Sequence, residues 1–448
     1  MIKKILVANR GEIALRIIRA AKEMGIKTVA VYSKADEESF HKRVADESVC
    51  IGEAPAKESY LFYQNILGAV EASGADALHP GYGFLAENAN FAEACEALDI
   101  IFIGPSPKSM RQMGDKATAR KIMRKARVPI IPGSKGIIQD QSALKKSAKQ
   151  IGYPIMIKAS AGGGGKGMRI ANSEDELIKN FQNASQEAKQ AFGSDELYIE
   201  KFIPNSRHIE VQILADKKGN TVHLFERECS IQRNHQKLLE ESPCPILSET
   251  ARKKICETAV KAAKSVNYCS AGTVEFLYDI DSKKFYFMEM NTRIQVEHPV
   301  TEMITNINLV KKQITIASGE KLGLNQKNIS HQGHAIECRI NAEDWKNNFR
   351  PSPGKITQYI PPGGFGVRVD SACFTNWTIQ PYYDSMIAKL ITHGKTRNEA
   401  INRMKRALDE FVIEGIHTTI DFHKMILNHP EFLKSNITTN FVSDYLLD

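Results

Sequence analysis

At 448 residues, with 42% hydrophobic and 25% charged side chains, the chain is long enough for several globular domains, and no run approaches the roughly 18 apolar residues that a membrane span needs. The net charge of +8 comes from 60 basic against 52 acidic residues without polybasic clusters interleaved with aromatics, which argues against nucleic acid as a partner. The eight cysteines form no C-x-x-C pairs, so neither a zinc cage nor a disulfide framework is suggested, and most are expected to be reduced and structural.

The start, Met1-Ile2-Lys3-Lys4-Ile5-Leu6-Val7-Ala8-Asn9, is basic and then apolar, but too short and without the cleavage pattern of a signal peptide. It reads as a buried first strand in a cytoplasmic protein. Through the first third, short β-branched runs over 4–8, 28–32 and 100–103 alternate with amphipathic stretches, which predicts a parallel α/β sheet. Ile13, Ile17, Ala20, Ala21 and Met24 recur at helical spacing, and Gly25 follows as a stop. The intervening turn, Asn9-Arg10-Gly11-Glu12-Ile13-Ala14, carries one glycine where a dinucleotide fingerprint needs three, so the layout is Rossmann-like but an NAD site is disfavoured.

At Pro129-Ile130-Ile131-Pro132-Gly133-Ser134 turn residues break the pattern, and a domain boundary is expected there. Residues 131–203 read as helix, strand, glycine loop, strand, helix and strand, a small α+β module of a size suited to a movable lid. The remainder is mixed strand and helix. Near its end Thr396-Arg397-Asn398-Glu399 makes a capping box for a helix carrying Ala400, Ile401, Met404, Leu408, Phe411 and Val412, stopped by Gly415.

Two segments carry the chemistry. In Ser160-Ala161-Gly162-Gly163-Gly164-Gly165-Lys166-Gly167-Met168, consecutive glycines leave backbone N–H groups free to wrap a phosphate chain, and Lys158 on the preceding strand can reach the same phosphates. The loop is not a Walker A motif, and for the glycines alone a flexible hairpin tip fits as well. In Met288-Glu289-Met290-Asn291-Thr292-Arg293-Ile294-Gln295-Val296-Glu297-His298-Pro299, an extended chain puts Glu289, Asn291, Arg293, Gln295 and Glu297 on one face, with Met288, Met290, Ile294 and Val296 on the other. Glu289, Asn291 and, from Gly272-Thr273-Val274-Glu275-Phe276, Glu275 offer the hard oxygens that magnesium takes beside nucleotide phosphates. An amphipathic strand facing water fits the alternation equally well, although the mixture of carboxylate, amide and guanidinium groups favours a reaction surface. The segments around His235 and Lys237 and around Arg339 read, taken singly, as surface charges or satisfied core groups.

Taken together, Ala8-Asn9-Arg10-Gly11-Glu12-Ile13-Ala14, His79-Pro80-Gly81-Tyr82-Gly83-Phe84-Leu85-Ala86-Glu87-Asn88, the glycine loop, Gln232-Arg233-Asn234-His235-Gln236-Lys237 and Glu289 to His298 resemble the biotin carboxylase family of ATP-grasp enzymes over essentially the whole chain. The resemblance implies an α/β and α+β fold: a doubly wound N-terminal domain (1–130), a mobile ATP-grasp lid (131–203) and a C-terminal mixed-sheet domain (204–448), with ATP between lid and sheet. It further implies Lys116, Lys158 and the loop residues Gly163, Gly164, Gly165, Lys166 and Gly167 on the phosphates, and the backbone of Glu200, Lys201 and Ile203 near the adenine. His208, Gln232 and His235 would line the nucleotide pocket. Glu275, Glu289 and Asn291 would hold Mg²⁺ or Mn²⁺, with Glu275 and Glu289 also facing the nucleotide. Lys237, Arg293, Gln295 and Val296 would bind bicarbonate, Glu297 would be the general base, and Arg339, with Tyr82 nearby, would meet biotin.

The implied activity is ATP-dependent carboxylation of biotin by bicarbonate, the first half-reaction of acetyl-CoA carboxylase, leading to malonyl-CoA and fatty acid synthesis. The implied partners are a biotin carboxyl carrier protein, carboxyltransferase subunits and a second copy of the chain. Ala161 and Lys166 depart from residues common in the family, which bears on lid flexibility but removes no catalytic group. No Ala-Met-Lys-Met-like hairpin is present, since Met404-Lys405 falls in the C-terminal helix, so the carrier is expected to be a separate polypeptide. The same half-reaction serves pyruvate, propionyl-CoA and urea carboxylases. Another ATP-grasp ligase, a nucleotide sensor without catalysis and an NAD-dependent reductase are weaker alternatives.

Overall fold

The computed structural model describes residues 2–134, 136–159 and 168–447. Strands β1 (Lys4–Val7), β2 (Lys27–Tyr32), β3 (Glu47–Cys50), β4 (Ala77–His79) and β5 (Ile101–Phe102) form one parallel sheet in the order β3-β2-β1-β4-β5. That is the doubly wound arrangement expected, with its reversal point between β1 and β4. Helix α1 (Gly11–Glu23) buries Ile13, Ile17, Ala20 and Ala21, and the chain leaves it through Gly25 at φ +72°, a left-handed conformation that glycine adopts without steric penalty.

β6 (Ile155–Ala159), β7 (Arg169–Ala171) and β8 (Leu197–Lys201) make a separate antiparallel sheet, backed by the helices Gln141–Ile151 and Glu174–Phe192. The order of elements follows the sequence pattern. Its core is its own: Leu144, Ile155, Ile157, Leu177, Leu197 and Ile199 are buried against one another. The glycines 163–165 and 167 and Lys166 lie outside the described residues.

β9 (Ser206–Ala215), β10 (Thr221–Arg233), β11 (Gln236–Ser242), β12 (Ser270–Asp279), β13 (Lys284–Asn291) and β14 (His334–Asn341) join the strands Met386–Gly394 and Val367–Ser371 in an eight-stranded sheet of order β13-β12-β9-β10-β11-β14 and then those two. Its strand pairs are antiparallel, and a parallel bridge from Ile130 to Phe287 extends the β13 edge. The apolar residues of α1 and β1 share a core with Leu214, Leu224, Ile294, Leu309 and Ile314, so the first sheet is packed onto the large one.

Two sequence expectations need correction. The C-terminal helix is Arg397–Glu410, capped by Thr396, whose hydroxyl accepts from the Glu399 N–H at 3.2 Å; Phe411 and Val412 lie beyond it, because Val412–Glu414 leaves to pair with Gln358–Ile360. The alternation from 289 to 297 is not one strand: β13 ends at Asn291, and 292–297 turn into the helix His298–Thr305. Within β13 the register slips between Phe276 opposite Phe287 and Glu275 opposite Glu289, so Met288 is an extra residue in a β-bulge and is exposed, not on the core face with Met290.

Candidate active site

β9 supplies the floor of the site. His208, Glu210 and Gln212 alternate with Ile209, Val211 and Ile213; the apolar set faces the core beneath and the polar set faces β10 and β12 neighbours, yet all are buried. β12 adds Thr273 and Glu275 in register with Gln212 and Glu210, and β13 places Glu289 directly opposite Glu275.

Lys237 is the centre of the cluster. Its ammonium donates to Glu210 Oε2 at 2.5 Å, Glu275 Oε1 at 3.0 Å and Glu297 Oε1 at 2.6 Å. Burial opposes its charge, but the three carboxylates outweigh burial and hold Lys237 well above its ordinary value. Glu297 is likewise buried, yet Lys237 and Arg339 keep it below the usual carboxylate range. Arg339 donates through Nη2 to Glu297 Oε2 at 2.9 Å and through Nε to Glu240 Oε1 at 2.6 Å. Lys237 and Glu240 share a face because β11 also carries a bulge: Ile231 pairs with Leu239 and Gln232 with Lys237, which leaves Leu238 as the extra residue.

Glu275 Oε1 accepts from Lys237, from Asn291 Nδ2 at 2.8 Å and from Gln295 Nε2 at 2.8 Å, while Glu275 Oε2 lies 3.0 Å from His208 Nε2. Burial is overcome by Lys237 and His208, so Glu275 is held well below the usual range. Burial and the facing Glu275 push Glu289 up instead. Two facing carboxylates of opposite tendency and an amide fit a hard divalent cation that takes oxygen ligands. Among the described residues, two further groups bring ligand atoms within 4.8 Å of one another: His208, Glu210 and Glu275, and Glu210, Cys229 and Glu297. Asn291 turns its amide oxygen to Arg293 Nη2 at 3.1 Å.

The other predicted residues are distributed around this cluster. Lys158 on β6 pairs with Glu200 on β8 at 2.8 Å, Glu200 also meets Arg120, and burial with Lys116 and Arg120 nearby pushes Lys158 down to about 8. Lys116 opens the helix Lys116–Lys125. The Lys201 side chain donates to the carbonyls of Gly152 and Tyr153, and Ile203 is buried where β8 passes into β9. Gln232 pairs with Lys237 in register, but His235 stands exposed at the tip of the β10–β11 hairpin, where Asn234 and His235 both have positive φ, rather than in the buried cluster. Tyr82, at the reversal point of the first sheet, turns its hydroxyl to Glu12, and the Val296 carbonyl accepts from Lys389 at 2.9 Å.

Several members were not legible as site residues. Arg227 is completely buried and donates to Glu210 at 2.5 Å, Gln212 at 2.8 Å, Thr301 at 3.0 Å, Thr273 at 3.1 Å and Gln295 at 2.8 Å, so it orients the amide that donates to Glu275. Glu87 accepts from the Thr292 N–H at 2.8 Å and from Arg293 Nε at 3.0 Å, tying the 292–297 turn to the first sheet. The polar alternation of His208, Glu210 and Gln212 between aliphatic residues was the available signal for Glu210. Arg227 and Glu240 had none: Arg227 lies between Glu226 and Glu228, and Glu240 lies between Leu239 and Glu241, so neither run alternates.

A small antiparallel sheet standing beside a large one, with lysines on the first and a buried carboxylate cluster on the second, is the ATP-grasp arrangement. Residues 1–110 match the family described as the biotin carboxylase N-terminal domain, 115–325 the carbamoyl-phosphate synthase L chain ATP-binding domain and 337–444 the biotin carboxylase C-terminal domain. The chain is 58% identical to biotin carboxylase 1 of Bacillus subtilis over 99% of both chains. It is similar in structure to a biotin carboxylase–β,γ-ATP complex from Campylobacter jejuni, with a TM-score of 0.95, 51% identity and 99% of both chains covered. It is also similar to the biotin carboxylase domain dimer of the Hydrogenobacter thermophilus 2-oxoglutarate carboxylase, solved with MgADP, ADP and bicarbonate, with a TM-score of 0.94, 50% identity and 99% and 98% of the two chains covered. The chain belongs to the biotin carboxylase family.

Proposed function

We propose that this chain carboxylates biotin on a separate carrier protein, using ATP and bicarbonate and passing through carboxyphosphate to give carboxybiotin, ADP and phosphate. The observation that carries the proposal is the buried chain of contacts Glu275–Lys237–Glu297–Arg339, which sets a cation and a carboxylate next to a guanidinium on one floor. Bicarbonate is a poor electrophile, and activating it brings several anionic oxygens together, so cationic groups must compensate them.

In this scheme Lys116, Lys158 and the glycine loop hold the phosphates, and the adenine lies against Glu200, Lys201 and Ile203, with His208, Gln232 and His235 along the pocket. Glu275, Glu289 and Asn291 hold Mg²⁺ or Mn²⁺, which supplies charge neutralisation at the transferring phosphoryl group. Lys237, Arg293, Gln295 and Val296 bind bicarbonate. In the free cluster Glu297 is a weak base because Lys237 and Arg339 both stabilise its charge; an anion that takes over Lys237 raises its proton affinity, which suits deprotonation of bicarbonate. Arg339 meets the ureido oxygen of biotin beside Tyr82.

The units 1–130, 131–203 and 204–448 serve as the N-terminal domain, a closing lid that excludes water from carboxyphosphate, and the catalytic region. The reaction is assigned to acetyl-CoA carboxylase and hence to malonyl-CoA and fatty acid synthesis in the cytoplasm, with a carboxyltransferase as partner. Among the described residues no helix is long and apolar enough to cross a membrane. The 2-oxoglutarate carboxylase relative supports a second reading, a carboxylase subunit serving a different acceptor such as pyruvate, propionyl-CoA or urea. That relative's dimer supports a homodimer here, which hydrodynamic mass tests. Purified protein should form ADP from ATP fastest when biotin and bicarbonate are both supplied; bicarbonate-dependent ADP formation that biotin does not stimulate would refute the assignment.

A further inference from the structure

Arg339 is gripped from behind by a second acid that no part of the scheme above uses. β11 and β14 pair so that Glu240 stands directly opposite Glu337, and both side chains have no exposed surface. Glu240 gives Oε1 to Arg339, but its Oε2 has no hydrogen-bond partner among the described residues, and neither oxygen of Glu337 has one. An ionised carboxylate only accepts, so an ionised Glu337 would be buried with no donor at all, facing a Glu240 whose second oxygen is also unmatched. One proton between them satisfies an orphaned oxygen on each side.

We infer that Glu240 and Glu337 share a single proton and act as one positioning unit behind Arg339, keeping its guanidinium turned toward the ureido oxygen of biotin. This rests on the assignment of Arg339 to biotin. With Nε held by Glu240 and Nη2 by Glu297, Nη1 is the guanidinium nitrogen with no hydrogen bond among the described residues, and it is the one left for a ligand.

The charged and titratable groups facing the pair come from every side. Arg339 and Cys338 lie on the same strand as Glu337, Lys237 on the strand of Glu240, Cys229 on β10, Lys389 on the strand Met386–Gly394, Glu297 at the start of the helix His298–Thr305, and Tyr82 from the first sheet. Lys389 is engaged by Glu12 at 3.1 Å and the Val296 carbonyl at 2.9 Å, and among the described residues it makes no hydrogen bond to Glu337. Burial pushes Glu240 up to about 7 against the pull of Arg339, and burial pushes Glu337 well above the carboxylate range despite Lys389. The proton therefore resides mainly on Glu337, and Glu240 keeps the charge that Arg339 needs. Loss of that proton at alkaline pH puts a second negative charge behind the guanidinium.

Infrared difference spectroscopy on the full chain reads the proton directly. A carbonyl band of a protonated carboxylic acid, moved by D₂O, should be present at neutral pH and lost in Glu337→Gln, and Glu240→Gln should shift the same band. Glu240→Gln should lower kcat/KM for biotin by roughly ten- to a hundredfold, the size expected for a charge-assisted hydrogen bond, with the ATP dissociation constant unmoved. Glu337→Gln, a permanent stand-in for the neutral acid, should remove the alkaline fall in kcat/KM for biotin, which a merely structural residue would not do. No band difference between Glu337→Gln and the unmodified protein overturns the shared proton. An equal loss of ATP affinity in Glu240→Gln, or an unchanged alkaline limb in Glu337→Gln, overturns the positioning role. Should Arg339→Ala leave biotin kinetics intact while the band difference persists, the assignment of Arg339 fails and the pair's function with it, though not its proton.

Discussion

The large sheet and the small sheet solve opposite problems. On the large one, Lys237, Arg227 and Arg339 are each locked by two or more acceptors, and Glu210, Glu275 and Glu297 are each shared between two or more donors, so the charges are fixed before any ligand arrives. On the small one, an independent aliphatic core carries Lys158 on a partly open face with Glu200 as its ion-pair partner, and burial already weakens its charge. A surface that must stabilise developing charge is worth building rigidly, because reorganisation at the moment of reaction would waste the stabilisation. A unit that must admit and release a polyanion is better left with cations whose charge improves on binding.

The comparison can be broken at four points. Glu297→Gln should cut biotin-dependent turnover by on the order of a hundred- to ten-thousandfold, whereas nucleotide affinity, measured by fluorescent nucleotide displacement, should stay within error. A parallel loss of nucleotide affinity would show that the two sheets do not divide the work.

Next, Arg227→Ala removes one side of a buried lattice and leaves Glu210 Oε1, Gln212 and Gln295 without their shared donor, with only Lys237 still on Glu210; a loss of roughly 3–5 kcal/mol of stability is expected, read by chemical denaturation. A cost below about 1 kcal/mol, the range of exposed ion pairs, would mean that the lattice is not preorganised as drawn.

Third, Lys158 should make nucleotide binding take up protons. With its pKa at about 8 in the free protein, Lys158 is partly neutral at pH 8 to 9, and phosphate contact restores the proton. Calorimetric binding enthalpy in that window should depend on buffer ionisation enthalpy, with uptake of a fraction of a proton that Lys158→Met abolishes. The same shift has a stability consequence: between about 8 and the unfolded value the folded chain binds fewer protons than the unfolded one, so this group favours folding as pH rises.

The smallest effect belongs to the exposed helix pair Arg406–Glu410 at 2.7 Å, where Glu410→Ala should cost only about 0.3–0.5 kcal/mol. It sets the scale against which the buried pairs are judged.

How much of this was legible in the sequence follows from the range of each signal. Period and punctuation determined the parallel first sheet and the small module with its two helices, because side-chain alternation and turn residues act within a few positions. Gln295 and Glu297 reach Glu275 and Lys237 from a turn, not through the strand alternation that groups them in the sequence. Three things depended on tertiary structure. The bulges at Met288 and Leu238 shift every side chain beyond them by one face, and a single extra residue in one strand of a pair leaves no mark on composition. The end of the last helix at Glu410 was decided by a partner strand at Gln358–Ile360, dozens of residues upstream, not by the local apolar spacing that pointed on through Val412. Arg227, Glu240 and Glu337 acquire meaning only through partners on other strands, since burial and the pairing of charges are properties of the assembled sheet, and a charged residue read alone is most often solvated.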